Sequence, residues 1–368
     1  MAPPSNGEEP RAEVAAWNRL VDALRAAGER LAVDTADLDE AERADGFRAL
    51  LRAAANQLGR LEVDRERPEL VAFNERRQKF LMDNPDFRYW VADVRSDRRY
   101  RITGNRGDAS YVSLTAYATT GTTGAQATAR LDSDSITFDA TGAFEVSIGG
   151  EPRAASDWLA LPEQTSMLWV RYFHDEVRTD LIGWCAIEPV EAPPVPPPID
   201  PRRFCQQLDR MAATTAVLPQ IFAAATAADL ERPNELRHWS EMTGGAVFTE
   251  PDTHYLRGGW QLDHGEALLI EGDVVACRYW NILAYSRYLN SLDHRYRTIS
   301  YTGVTATVTD GRYRFVVAAH DPGHGTGDWL DTEGRPFGIL VMRFLQPEEA
   351  PGLPSVRRIR LDDLQDRR

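Results

Sequence analysis

The sequence predicts an α+β, mainly β chain: two tandem antiparallel sandwich or jelly-roll-like copies, with helices before the first and a helical insert between them. Three observations carry this. Landmarks recur in the same order, short alternating segments bounded by turn residues fill both repeats, and 3.6-residue periodicity is confined to the stretches outside them. Gly104 of YRITG is followed thirteen residues later by Tyr117, and Gly272 of LLIEG thirteen residues later by Tyr285. Asp157-Trp158-Leu159 precedes Arg171 of MLWVRYF, and Asp328-Trp329-Leu330 precedes Arg343 of ILVMRFL. The two Trp lie 171 positions apart and the two Arg 172. That period is too long for a solenoid and suits two whole domains or two halves of one pseudo-symmetric body.

Residues 1–10, rich in Pro, Gly and Glu, read as a disordered tail. Residues 11–86 read as helical. Trp17, Leu20, Val21, Leu24 and Leu31 share one helix face. Asp34 or Asp37 is placed to cap a second helix with the stripe Phe47, Leu50, Leu51, Ala54, Leu58 and Leu61. Pro68 is placed to open a third, ending near Asn84-Pro85. From 87 to 190 the period becomes two. Tyr111, Ser113, Thr115 and Tyr117 alternate with apolar neighbours, SITFDATGAFEVSIGG reads as two strands about a Thr-Gly turn, MLWVRYF is a strand, and 119–128 is a Gly/Thr-rich loop. Residues 191–243 hold the stiff linker APPVPPPIDP and a helix over 202–230, which Pro219 breaks or kinks. Residues 244–360 form the second β copy and 361–368 a tail. Without βαβ alternation a doubly wound nucleotide fold is disfavoured.

Composition narrows the function classes. The chain of 368 residues is 43% hydrophobic and 27% charged, with a formal net charge of −14. An acidic balance of that size argues against nucleic-acid or anionic-membrane partners, which need a basic footprint. No uninterrupted apolar run of about 18 residues predicts a bilayer span. The N-terminal residues lack a signal peptide's basic and apolar regions, so a cytoplasmic location is expected. Cys185, Cys205 and Cys277 form no CxxC pair and predict neither a thiolate zinc site nor a disulfide framework. Lys79 is the only lysine. In the polar stretch NERRQKF, read as helical, it is disfavoured for Schiff-base or P-loop chemistry.

The segments NPDFRYW, YRITG, AHDPGHGTGDWLDTEGRPFG and VMRF resemble the family known as domain of unknown function 1214, often coupled with domain of unknown function 1254. The likeness spans roughly residues 40–360 and is sharpest over 270–350. The pattern is His320 to Gly323, then Asp328 to Thr332, then Gly334 and Gly338. Family members more often carry Asn before the Trp, where this chain has Asp328. The resemblance implies an all-β jelly-roll-like body with added helices, and no settled activity.

The repeat is its own control: features of both copies are scaffold, and features of one copy are candidates for function. Trp158, Trp329, Asp157 and Asp328 belong to the first group, and Arg171 and Arg343 suggest buried ion pairs. Where copy two reads AAHDPGHGTGDWL, copy one reads IGGEPRAASDWL, so His320, Asp321 and His324 are unmatched. A His-Asp-x-x-His loop at a strand end suits acid–base chemistry or a divalent metal, although its spacing is not that of HExxH. A Pro-Gly turn with solvated histidines is the structural alternative. In CRYWNILAYSRYLNSLDHRYR, alternation puts Tyr279, Asn281, Leu283, Tyr285 and Arg287 on one strand face, a mix that suits carbohydrate recognition together with His324 and Asp328. Asp331 with Glu333, or Glu266 with Glu271, supplies two carboxylates for hydrolysis. The expected catalytic set is thus His320, Asp321, Asp331 and Glu333. Its expected task is binding, extending to hydrolysis, of a polar small molecule such as a glycan on the second sandwich, with no cofactor. Two alternatives stay open: a non-catalytic homo-oligomeric interaction protein, and a metal-dependent enzyme using His320 and His324.

Overall fold

The computed structural model describes residues 11–61, 64–74, 78–120, 124–152, 157–176, 181–191, 198–241 and 249–365. The predicted tail at 1–10, most of the Pro-rich linker (192–197) and the tip of the Gly/Thr loop (121–123) lie outside them. Two helices open the chain, α1 (Ala12–Asp34) and α2 (Glu40–Leu58). The first β half follows: β1 (Val71–Ala72), β2 (Phe87–Asp93), β3 (Tyr100–Gly107), β4 (Tyr111–Thr120), β5 (Gly124–Asp132), β6 (Ala143–Ile148), β7 (Asp157–Leu159), β8 (Met167–Phe173) and β9 (Ile182–Pro189). Helix α3 (Pro201–Glu231) leads to β10 (Arg237–His238), β11 (Thr253–Gln261), β12 (Glu266–Asp273), β13 (Tyr279–Tyr285) and β14 (Ser300–Thr302). Then come β15 (Val308–Thr309), β16 (Arg312–Ala318), β17 (Asp328–Asp331), β18 (Phe337–Leu345), β19 (Ser355–Arg360) and the short α4 (Asp362–Gln365).

The two halves repeat strand for strand. Sheet β1-β2-β8-β4-β5 has its counterpart in β10-β11-β18-β13-β14, and β7-β6-β3-β9 in β17-β16-β12-β19, with β15 added beside β16. All pairings are antiparallel except β6 with β7 and β16 with β17. The repetition reaches single hydrogen bonds. The Trp158 indole donates to the Gly149 carbonyl at 3.2 Å and Trp329 to the Ala318 carbonyl at 3.0 Å. The Asp157 carboxylate accepts from the Thr137 backbone N–H and hydroxyl, and Asp328 from those of Thr307. Arg171 stands between Tyr89 and Ser113 in register, and Arg343 between Tyr255 and Asn281. The repeated glycines have a steric reason: a Cβ on Gly104 would lie 2.7 Å from the Phe144 ring, and one on Gly272 2.3 Å from the Tyr313 oxygen.

Each half has a core between its two sheets, around Ile102, Leu114, Val146 and Val170 in the first and Ile270, Ile282, Phe315 and Met342 in the second. The halves meet through Phe87, Tyr111 and Phe173 against Tyr279 and Leu345. Helix α3 lies between them in sequence and packs on α1 through Leu208, Met211 and Ala212 against Ala16 and Leu20. Further along, Leu218 and Phe222 meet Leu31, Ala49, Leu50 and Tyr288. By length and composition alone α3 could cross a membrane, the test a buried core helix also passes.

Several local expectations need correction. Pro68 opens no helix: the described residues between 64 and 86 are turns and extended chain with the two-residue β1. Helix α3 continues through Pro219. The cap of α2 is Asp39, which accepts from the Glu42 N–H. The segment before the Thr-Gly turn at 141–142 is not a strand, and β5 already begins at Gly124 inside the expected loop. Trp17 is 58% and Leu51 67% exposed, so neither apolar stripe is wholly the packing face. The buried side of α2 is Glu42, Asp45, Gly46, Ala49, Leu50, Ala53 and Asn56, small and acidic because it meets arginines of the second half.

Candidate functional site

A polar cavity of about 350 Å³ opens where α2 meets the second half. Helix α2 contributes Asp45, Arg48 and Arg52, at spacings of three and four that bring them to one side. The segment after β13 contributes Asn290, Ser291, Asp293, Arg295 and Arg297, and the turn between β17 and β18 contributes Glu333 and Arg335. Lys79 completes the wall. The turn is tightly specified. The Asp331 carboxylate accepts from the Glu333 N–H at 2.7 Å, and Glu333 sits in the left-handed region at φ 57° with Gly334 after it at φ 74°. A non-glycine residue there is strained, which the surrounding contacts must offset.

Six cations and three carboxylates line this cavity, and most are paired. Arg335 bridges Glu42 at 2.5 Å, Asp45 at 3.0 Å and Glu333 at 3.2 Å. Arg48 pairs with Asp45, Arg295 with Asp293, and Arg297 with Asp331 just behind the wall. Arg52 and Lys79 differ. Among the described residues neither has a carboxylate within 4 Å. Arg52 donates to the Asn290 amide oxygen at 3.2 Å, and Lys79 to the carbonyls of Ser291 at 2.5 Å and Leu292 at 2.6 Å. Burial, with Arg48 alongside, pulls the Arg52 guanidinium below its ordinary pKa. Burial likewise lowers Lys79, against a smaller pull upward from Asp83. Lys79 is only 3% exposed and lies outside any helix, which overturns the helical placement of NERRQKF at this residue and the reason for setting its chemistry aside.

The nominated residues scatter over three places. Glu333 lines the cavity and Asp331 anchors Arg297 behind it. Arg287 lies past the end of β13 and pairs with Glu42 at 2.8 Å, so it does not share a strand face with Tyr285. His320, Asp321 and His324 are exposed on the loop after β16. Asp321 accepts from the Gly323 N–H, and His320 faces His264 with ring centroids 6.3 Å apart. Among the described residues no group of three or more His, Cys, Asp or Glu has the makings of a metal site. Asp328 holds its turn through Thr307. Glu266 and Glu271 are ion-paired on the outer sheet, to Arg358 and to Arg357 and Arg314. Because His320 is exposed and carries no ion pair among the described residues, His320→Ala should shift unfolding free energy by no more than about 0.5 kcal/mol in urea titration. A larger loss would place the loop in the folding core.

Tyr279, Asn281 and Tyr285 come together in a third place, the seam between the halves. Tyr279 and Asn281 both donate to the Asp86 carboxylate, at 3.2 and 3.0 Å, and Arg343 donates to the Tyr285 oxygen at 2.6 Å. Copy one mirrors this: Arg171 donates to the Tyr117 oxygen at 3.1 Å and to Glu250 at 3.2 Å, and Ser113 also donates to Glu250 at 2.9 Å. The carboxylates cross over. Asp86 precedes β2 yet serves the second half, and Glu250 precedes β11 yet serves the first. Burial pushes both carboxyls above their ordinary pKa, and neighbouring groups pull each back down: the Asn281 and Tyr279 hydrogen bonds at Asp86, and Arg171 and Arg130 at Glu250. The expected ion pair exists for Arg171; Arg343 has no carboxylate within 4 Å among the described residues.

Fold and site together define a duplicated two-sheet β protein whose helices close a basic pocket on the second half. The profile of the family described as "Protein of unknown function (DUF1214)" matches residues 91–176 and 259–349, one segment in each half. Each half thus carries one copy of that family's segment. It is similar to the crystal structure of an uncharacterized protein from Burkholderia cenocepacia, at 28% identity and a TM-score of 0.88, over 96% of this chain and 100% of that one. A protein from Vibrio parahaemolyticus shares the fold alone, at 13% identity and a TM-score of 0.52, over 93% of this chain and 100% of that one. No curated protein matches the chain.

Proposed function

We propose that this protein binds a small anionic molecule bearing hydroxyls, such as a sugar acid or sugar phosphate, in the pocket between α2 and the second half. The observation that supports this reading is Arg52, a wall cation without a carboxylate partner among the described residues, with the Lys79 nitrogen on the same wall. Buried positive charge is costly unless paired, and an anion entering the cavity would supply the missing partner. Asn290 and Ser291 line the same pocket, engaged by Arg52 and the Tyr288 carbonyl and by Asp83, and each oxygen keeps a lone pair for a hydroxyl. Hydrolysis is the weaker part of the sequence expectation, because Asp331 and Glu333 are already engaged by Arg297 and Arg335. Calorimetric titration with inorganic phosphate and with glucuronate tests the proposal. Arg52→Ala should weaken binding by about 1.5–3 kcal/mol, the worth of a hydrogen bond to a charged group. Neither probe binding to the wild type, or equal binding to the variant, would overturn it.

A second reading, self-association, is favoured by the exposure of Trp17 on α1 and Leu51 and Leu58 on α2. Light scattering would decide it: a monomer at high concentration excludes a helix-mediated dimer.

A further inference from the structure

We propose that Lys79 is a catalytic amine that forms an imine with a carbonyl compound bearing an anionic group, a small α-oxo acid being the simplest; this rests on the anion-binding reading of the pocket. The geometry around the nitrogen carries the idea. Lys79 Nζ is buried on the cavity wall and has two backbone acceptors, the carbonyls of Ser291 and Leu292. A neutral amine has two N–H donors and one lone pair. Two carbonyls satisfy both donors and leave the lone pair as the remaining tetrahedral direction. Desolvation favours the neutral form in the same sense.

The surroundings suit the chemistry. A lysine becomes nucleophilic when it is buried beside another cation, and Arg52 is that neighbour. Arg52 would hold the anionic group of the substrate while the amine meets its carbonyl carbon. The lone pair forms the C–N bond and the carbonyl π pair moves to oxygen, giving a carbinolamine once a nitrogen proton reaches that oxygen. The C–O bond then breaks and the oxygen departs as water, taking the second amine proton. A proton added to the imine nitrogen gives the iminium and keeps one N–H for one of the two carbonyls. No oxidant, reductant or metal enters the balance.

That Lys79 is the only lysine makes the test unambiguous. The full chain is incubated with pyruvate and sodium cyanoborohydride, and the peptides are weighed. The expected result is a reduced adduct on the Lys79 peptide, suppressed by excess lactate or phosphate. Lys79→Met, which is uncharged like the free amine, should give no adduct while remaining folded; Lys79→Arg, which keeps N–H donors for the two carbonyls but adds a charge, checks that result. An unmodified Lys79 in protein that binds lactate or phosphate sinks the imine and leaves the pocket reading intact. Failure of both anions to bind sinks the pocket reading itself. An adduct that competitors do not suppress, or that forms equally in urea-unfolded chain, is unspecific labelling and overturns the proposal.

Discussion

Glu250→Ala lowers the unfolding free energy by about 3–5 kcal/mol, the range for removing one partner of a buried ion pair. Glu250 and Arg171 are both 2% exposed at the side chain, and the carboxylate also meets Ser113 and the Arg130 guanidinium at 3.2 Å. Removing it takes the Glu250 charge from Arg171, which also lies 4.6 Å from the Trp169 ring and donates to the Tyr117 hydroxyl. The loss should appear as a lower urea midpoint with unchanged slope. The double variant Glu250→Ala with Arg171→Met should recover part of it, because the buried charge that Glu250 faced is gone as well and a hydrophobe of similar length fills the space. If the double variant is as unstable as the single one added to Arg171→Met alone, the two side chains are not coupled and the seam is held by its aromatic contacts.

The second large effect is expected at Arg335, where Arg335→Ala costs about 3 kcal/mol, the low end of the same range. Arg287 still reaches Glu42 and Arg48 still reaches Asp45, so the two buried carboxylates of α2 are not wholly abandoned. What disappears is the tie between α2, Glu333 and the second half. Limited proteolysis should therefore cut first within 35–61, and phosphate affinity should fall with it, since Glu333 and the cavity floor lose their support. Intact protease resistance with a small stability change would show that Leu50, Phe222 and Tyr288 hold the helix without the charges.

The duplication was legible because it lives in spacings that the fold keeps: glycines under aromatic rings and tryptophans over a neighbouring carbonyl recur at fixed intervals. The docking of α2 was not. Its buried side reads as polar in a hydropathy pattern, since Glu42 and Asp45 are buried only by virtue of arginines about 240 to 290 residues away. The pocket was hidden for the same reason, although the arginine-dense run SRYLNSLDHRYR and the single lysine were visible signals. His320 and His324 stand out in the sequence because copy one has no match for them, yet they lie on an exposed turn; Lys79 lies between β1 and β2, ahead of the stretch where the sequence repeat is visible.

The crossed seam has a further implication. Asp86 lies between β1 and β2 of the first half and Glu250 between β10 and β11 of the second, and each completes the other's interior. The arrangement is that of a domain-exchanged dimer written on one chain. In two identical subunits any change at such a contact lands twice. On one chain the two contacts are separate genetic positions, and here they have come apart: Arg130 and Asp132 flank Glu250, where the matching register of the second half holds Ser300 and Thr302. One side can thus remain a fastener while the other is free to change.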